Sequence, residues 1–407
     1  MRSLLVVNDM GIGVGGTQKR IYQLIKMLLQ KNIFDKIFVL AHTSAKQNTH
    51  KNVHQTPENI HVVYCDKTSI EGTMSSLMRE NYIELVQVHN LSLLSTEPIQ
   101  VAKKNGKKVI FFAHDYWPVC GRRSFYTRWK KPCAGPGIIK CNLCIGPLSY
   151  LHLKMKVQQD LNACDVGIAT SKHMGDIYEN NKILDGRWKQ ITPWIEEEYF
   201  EKARGNEKKK EETESKKNMK HKIILYVGYL DREKGFFDLL EVFLKISKEK
   251  LDLVLFAVGD VSQENMKRIE EVLKKEKSEE KVRYVGFVSD KQQLIQYYKN
   301  ADLFVFPSLF EESFGQTWAQ ALACGTPVIA YGTGSVSELL GQHGILIQTG
   351  NRQKLEKAIE DFFNKQEQKN GKQQEARKAY AKNMFSIENA MPLLGQVYKD
   401  INYSELL

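Results

Sequence analysis

No apolar run in the 407-residue chain is long enough to cross a bilayer, which excludes an integral helical membrane protein. The opening MRSLLVVNDMGIG turns polar after Val7, too soon for the apolar region of a secretory signal, and reads as a first strand. Cysteine is scarce and odd in number: seven in a long chain do not form a secreted disulfide framework, and a reduced, cytoplasmic setting is expected. With 10 Pro and 27 Gly the chain is neither collagen-like nor broadly disordered. Acidic residues are in deficit, 48 against 59 Lys and Arg, a net charge of +11 with a pI near 9.0. The basic residues are dispersed and no base-reading module accompanies them, which argues against nucleic acid.

What is present is globular: 42% hydrophobic and 26% charged residues in 46.9 kDa, too long for one core and comfortable for two. Short aliphatic runs alternate with amphipathic stretches. Strands are expected at Ser3–Val7, Ile37–Leu40, His61–Tyr64, Leu85–Val88, Val109–Phe112 and Val166–Ala169, with a helix over Arg20–Leu29. Near-continuous apolar runs of four or five residues suit strands covered on both faces, hence parallel sheets in a doubly wound α/β arrangement. The alternation restarts with strands at Ile223–Val227, Leu253–Val258, Val282–Val285, Leu303–Phe306 and Pro327–Ala330. Helices are expected at Phe236–Ser247, Gln263–Lys277, Lys291–Tyr298 and Thr317–Ala323, and Ser386–Ile401 closes the chain as an amphipathic helix. Between the halves, residues 201–222 hold nine Lys or Arg, five Glu and no aromatic residue. Such a segment buries too little to offset its ordering entropy and reads as a charged, flexible junction. The expected organisation is an N-terminal Rossmann-like domain over 1–200 with a Cys-bearing loop at 115–147, the junction 201–222, a nucleotide-binding domain over 223–385, and a C-terminal helix over 386–407 returning to the first domain. Ligands of open parallel sheets bind at the carboxyl ends of strands, so both domains should face one cleft.

Three constellations carry chemistry. Gly11-Ile12-Gly13-Val14-Gly15-Gly16-Thr17 joins strand one to helix one, where glycines let an anion approach free amides. Its spacing matches neither a Rossmann fingerprint nor a P-loop, and a tight turn remains an equal reading. Gly228-Tyr229-Leu230-Asp231-Arg232-Glu233-Lys234-Gly235 sets two cations at the mouth of the first strand of the second half, where they can clamp a diphosphate. Phe306-Pro307-Ser308-Leu309-Phe310-Glu311-Glu312-Ser313-Phe314-Gly315-Gln316-Thr317 leads into Ala319–Ala330 as strand, acidic loop, Phe-Gly, helix, Gly-x-Pro and strand.

This last run resembles the retaining group 1 (family 4) glycosyltransferases of the GT-B fold, whose second domain carries Pro-Ser, then a Glu, seven residues, and a second acidic residue. Gly259-Asp260, Gly286-Phe287 and Gly332–Glu338 fall at further positions of that pattern, as does His114-Asp115 in the first half. The resemblance implies two facing Rossmann-like domains and transfer of a sugar from a nucleotide-diphosphate sugar to a glycan or lipid-linked acceptor, in cell-surface polysaccharide biosynthesis. It gives catalytic roles to His114, near the donor sugar, Lys234, neutralising the leaving diphosphate with Arg232, and Glu312, on the sugar hydroxyls. Donor contacts fall to Gly15, Gly16, Gly228, Ser308, Phe287 beside the base, the turn Phe314, Gly315, Gln316 and Thr317, and Gln320. No metal or other cofactor for catalysis is implied, because cations and helix ends do the work of Mg²⁺. The positive charge suits a peripheral position on an anionic inner membrane face.

Two residues depart from the pattern: Gln320 stands where the second acid is expected and Tyr229 where an Arg is. They keep two alternatives open, a catalytically degenerate partner subunit and a sugar-nucleotide epimerase of the same architecture. Cys120, Cys133, Cys141 and Cys144 follow His114 and end in Cys-x-x-Cys. They read as a structural zinc site in a long loop, with reduced free thiols and a disulfide pair as the other readings. Cys65, Cys164, Cys324 and most histidines read as packing or surface residues.

Overall fold

The computed structural model describes residues 2–8, 16–45, 57–91, 93–201, 221–248, 252–364 and 371–401. The chain divides into two units, the first comprising Met1–Arg128, Cys133–Pro193 and Ala390–Leu407, the second Trp129–Pro132 and Trp194–Asn389. Most of the charged segment 201–222 lies outside the described residues.

The first unit is built on seven parallel strands: β1 (Ser3–Val7), β2 (Lys36–His42), β3 (Ile60–Cys65), β4 (Leu85–Val88), β5 (Lys108–Phe112), β6 (Val166–Ala169) and β7 (Trp188–Gln190), ordered β3-β2-β1-β4-β5-β6-β7. Every residue of β1, β4 and β6 is buried, as strands covered on both faces require. Helices α1 (Gly16–Gln30), α2 (Ile70–Glu80), α3 (Glu97–Lys104), α4 (Ile138–Ile145), α5 (Pro147–His152), α6 (Gln158–Leu161) and α7 (Lys172–Asn180) connect or flank them. A π-helical turn, Leu153–Val157, joins α5 to α6. Residues 138–161, expected as loop up to 147, are therefore largely helical.

The second unit has six parallel strands, β8 (Lys222–Val227), β9 (Leu253–Val258), β10 (Val282–Gly286), β11 (Leu303–Phe306), β12 (Val328–Tyr331) and β13 (Ile345–Ile347), ordered β10-β9-β8-β11-β12-β13. Its helices are α8 (Phe236–Lys248), α9 (Gln263–Glu276), α10 (Lys291–Asn300), α11 (Gln316–Ala323), α12 (Ser335–Leu339), α13 (Arg352–Asn364) and α14 (Gly371–Phe385). Successive residues of β8 feed opposite cores: Ile223 and Leu225 pack with Trp318 and Phe385, Ile224 and Tyr226 with Phe236 and Phe243. β12 begins one residue later than expected because Pro327 has no N–H for the ladder, although its carbonyl accepts from Phe304.

The last helix, α15 (Ile387–Asp400), buries Leu394, Val397 and Tyr398. Gln87 Nε2 donates to the Tyr398 oxygen at 2.6 Å and Lys189 pairs with Asp400 at 2.9 Å, both within the first unit.

Candidate active site

Each sheet reverses its strand order once, between β1 and β4 in the first unit and between β8 and β11 in the second. Loops leaving such neighbours diverge, and ligands of doubly wound folds bind in the opening at the strand carboxyl ends.

In the second unit two loops meet there. The segment after β8 is tied down by its own groups: Tyr226 donates its hydroxyl to the Tyr229 carbonyl at 2.8 Å and the Lys234 amide donates to Asp231 Oδ1 at 2.7 Å. Burial nonetheless raises the Asp231 carboxyl above the usual range. Gly235 has φ +71°, and a Cβ there would stand 1.7 Å from the Pro307 carbonyl oxygen. Only glycine lets this loop lie so close to the one after β11, and the Leu309 amide closes the contact by donating to the Glu233 carbonyl at 2.9 Å.

The approach brings Lys234 Nζ to 3.0 Å from Glu312 Oε1 and 3.9 Å from the centre of the Phe310 ring. The Glu312 side chain is 5% exposed and that of Lys234 32%, so the cation is held at the mouth by a buried anion. Glu312 is fixed through its backbone: its carbonyl accepts the Ser335 amide at 2.9 Å, and Ser335 donates its hydroxyl to Ser313 O at 2.6 Å. Gly334, with φ +51°, passes so near that a Cβ would sit 2.2 Å from Glu312 O. Helix α11 starts just beyond, after Gly315, with no side-chain cap and no acidic residue in its first turn. Its leading amides therefore keep their capacity for an anion. Two buried hydroxyls on these loops, Ser308 Oγ and Thr333 Oγ1, have no hydrogen-bond partner among the described residues. An unsatisfied buried hydroxyl costs about 1–3 kcal/mol, which a hydroxyl-rich ligand or water would offset.

In the first unit Asn8, His89, Asn90 and His114 stand just beyond the ends of β1, β4 and β5. Asn90 Nδ2 donates to Asn8 Oδ1 at 2.8 Å, and His89 Nδ1 lies 2.8 Å from His114 Nε2. The His89 ring also stacks on Phe112, with centroids 4.5 Å apart. Burial, with the Arg20 guanidinium of α1 nearby, lowers the His89 pKa to about 3. Burial, then His89 and Arg20, holds His114 well below its ordinary value. Both imidazoles are therefore neutral, and one proton lies between them. Of the outer nitrogens, His89 Nε2 and His114 Nδ1, one is then a donor and the other an acceptor. Neither has a partner among the described residues. Such a pair suits a hydroxyl, which donates and accepts at once.

The linkage has a definite sign. An unfolded histidine takes up a proton below about pH 6.5 while the buried pair stays neutral, so stability is complete above that pH and falls below it. His89 alone contributes a slope of about 1.4 kcal/mol per pH unit. Urea unfolding at neutral pH and at about pH 5.5 should show the loss, with a smaller loss for His89→Gln.

The remaining expected residues are placed as follows. Gly16 opens α1, and Gly15 lies outside the described residues. Gly228 follows β8, and Phe287, in the loop after β10, is 63% exposed. Arg232 is exposed and makes no hydrogen bond or ion pair among the described residues; its charge acts on Asp238. Gln320 lies on α11 with Oε1 accepting the Tyr298 hydroxyl at 3.0 Å. The four-thiolate zinc expectation finds no matching geometry: among the described residues no three His, Cys, Asp or Glu side chains are placed to share a metal ion. Cys133 donates to the Gly135 carbonyl, Cys141 accepts from the Gly137 amide, each at 3.3 Å, and all seven thiols are free. Sequence reasoning missed His89, although it follows a buried strand just as His114 does, and missed Phe310 and Arg20.

Comparison with known proteins shows what the chain is similar to. Residues 207–384, most of the second unit, match the family model of the glycosyl transferases group 1. An uncharacterised 41.2 kDa protein of the Klebsiella pneumoniae cps region is 28% identical over 264 residues, 63% of this chain and 61% of the relative. The capsular polysaccharide biosynthesis glycosyltransferase CapM of Staphylococcus aureus is 29% identical over 167 residues, 40% of this chain and 43% of CapM. The chain thus spans less than two thirds of either relative's length. Anabaena HepE, solved with UDP, superimposes with a TM-score of 0.72 at 16% identity, covering 99% of this chain and all of that one. The two α/β units have the GT-B fold.

Proposed function

We propose that the chain is a retaining, metal-independent glycosyltransferase that moves a hexose from a nucleotide-diphosphate sugar to a glycan or lipid-linked acceptor in cell-surface polysaccharide biosynthesis. The observation that carries the reading is the Lys234–Glu312 pair, 3.0 Å apart at the switch point of the second unit and beside the uncapped start of α11. The group 1 match over 207–384 and the likeness to CapM, named for capsular polysaccharide biosynthesis, support the reaction class and its setting. HepE, solved with UDP, supports a uridine donor.

In this reading the diphosphate rests on the amides of Phe314–Thr317 and against Lys234, while Glu312 and the Ser308 hydroxyl bond the donor. The bond from the anomeric carbon to the leaving phosphate oxygen breaks as the acceptor oxygen bonds to that carbon on the same face. The leaving phosphate oxygen takes the acceptor's proton. Lys234 and the helix amides stabilise the charge that grows on the diphosphate. The neutral His89–His114 pair offers a donor and an acceptor to a sugar or acceptor hydroxyl, and Gly16 and Gly228 leave room for phosphate. The Gln320 oxygen, already bonded to Tyr298, leaves the amide nitrogen for the ribose.

The reading is tested by screening uridine, guanosine and adenosine diphosphate sugars for thermal stabilisation, which bound donor produces by mass action. The anomeric configuration of the product is then assigned by NMR. Stabilisation by one donor, followed by a product of unchanged anomeric configuration, is expected. Inversion, isomerised donor without release of nucleoside diphosphate, or indifference to every donor would each refute it. Glu312→Ala should lower turnover about 100-fold while the fold is kept.

A further inference from the structure

Helices α4 and α5 bury none of their residues. Helices this short ordinarily persist in water because an apolar face packs on a core. Here most of that face is turned outward, with Ile145 partly buried against the core of the first unit. Ile139 is 78% and Leu148 83% exposed, and Ile138, Leu143, Leu151 and Met155 are exposed with them. Of the fourteen large apolar side chains exposed among the described residues, seven lie between residues 129 and 155. The charge pattern is equally one-sided. From Tyr116 to Gln159 the sequence contains eight Lys or Arg and no Asp or Glu, against a net charge of +11 for all 407 residues. Lys140 lies on α4, Lys154 and Lys156 flank Met155, and Arg128 Nη1 donates to the Leu143 carbonyl at 3.2 Å, beside the end of α4.

We propose that the α4–α5 face is a membrane-docking surface, which lays Ile138, Ile139, Leu143, Leu148 and Leu151 into the headgroup boundary of an anionic bilayer while the cations around them meet lipid phosphates. Apolar and cationic groups side by side on in-plane helices are what interfacial binding uses, and a field of one sign is drawn to the negative potential of anionic lipids. A second copy of the chain fits the face poorly. A twofold contact sets the same patch against itself and would oppose two segments of net positive charge, with the neighbouring Asp160 already paired with Lys156 at 3.0 Å. The surface supplies the place for the lipid-linked acceptor of the reading above, but its evidence is independent of sugar transfer.

The test is flotation of the full chain with vesicles of phosphatidylcholine alone and of phosphatidylcholine mixed with phosphatidylglycerol. The protein should float with the anionic vesicles, and raised salt should weaken the association. The triple variant Ile139→Ser, Leu148→Ser, Leu151→Ser should bind them about tenfold less or weaker still, with an unchanged melting temperature because all three side chains are exposed. Lys140→Glu should also bind less. Failure of the wild type to float with anionic vesicles overturns the proposal, as does undiminished binding by the triple variant. So does a self-association, seen by sedimentation velocity, that the triple variant abolishes without any flotation. Flotation is read without donor or acceptor, so a protein that floats but transfers no sugar contradicts only the catalytic reading.

Discussion

Lys234→Ala should reduce kcat with the correct donor by about 100- to 1,000-fold, the usual loss when one preorganised group facing developing charge is removed. The geometry explains both size and selectivity. Lys234 Nζ is 3.0 Å from Glu312 and 3.9 Å from the Phe310 ring, so its place is set from two sides before any ligand arrives. Removing it strips the diphosphate of a cation and leaves the 5%-exposed Glu312 carboxylate without that partner. Breaking a fully buried pair costs about 3–5 kcal/mol; with the lysine one-third exposed, about 1–2 kcal/mol is expected here. The variant therefore stays folded, and initial rates with circular dichroism separate a lost reaction from a lost fold. Wild-type turnover in Lys234→Ala would show that the site has been assigned to the wrong residues.

Gly235→Ala should produce the largest loss of stability of any single methyl group in the second unit. The new Cβ would lie 1.7 Å from Pro307 O, a backbone atom, at a φ of +71° that side chains rarely adopt. Neither the loop after β8 nor the one after β11 can yield without dragging a strand. A cost of about 3–5 kcal/mol is expected, a fall in melting temperature of about 10 °C for a unit of this size. Donor binding should be lost as well, since the same contact sets Lys234 beside Glu312. Gly341→Ala is the control: its φ is +52° but nothing lies within 4 Å of the added atom. It carries only the backbone strain, about 1 kcal/mol. Equal effects at the two glycines would mean that the contact between the loops does not hold the site together.

The central strands were legible because a strand covered on both faces is nearly continuously apolar, as Leu4–Val7 and Leu303–Phe306 are and as Leu85–Val88 is apart from the buried Gln87. The edge strands β7 and β13 were not. Trp188-Lys189-Gln190 has one covered side chain in three, so nothing in its pattern differs from a loop. Helix α14 was missed for a related reason: among its 15 residues only Ala381 and Phe385 are buried, too few to mark an apolar stripe. At the site, the family resemblance assigned Lys234 and Glu312, 78 residues apart in sequence, to one ligand, and the fold brings them together. The sequence could not reveal that Gly334 wedges against Glu312, or that Tyr298 bonds Gln320, since neither contact leaves a periodic trace. His89 was within reach: it follows the buried strand Leu85–Val88 just as His114 follows Val109–Phe112. The Cys-bearing stretch went the other way. Ile138-Ile139-Lys140-Cys141-Asn142-Leu143-Cys144-Ile145 looked like loop because of its two thiols and the glycines and prolines on either side, yet it forms a helix most of whose apolar residues face outward.

The account turns on a diphosphate being gripped by Lys234 and the first amides of α11. Isothermal titration of the wild type and of Lys234→Ala with uridine, guanosine and adenosine diphosphates measures that grip without requiring the acceptor. One nucleotide should bind the wild type, and its affinity should fall about 10- to 100-fold in the variant, the equivalent of about 1.4–2.8 kcal/mol. Heat from none of the three, or the same affinity with and without the lysine, would contradict the account.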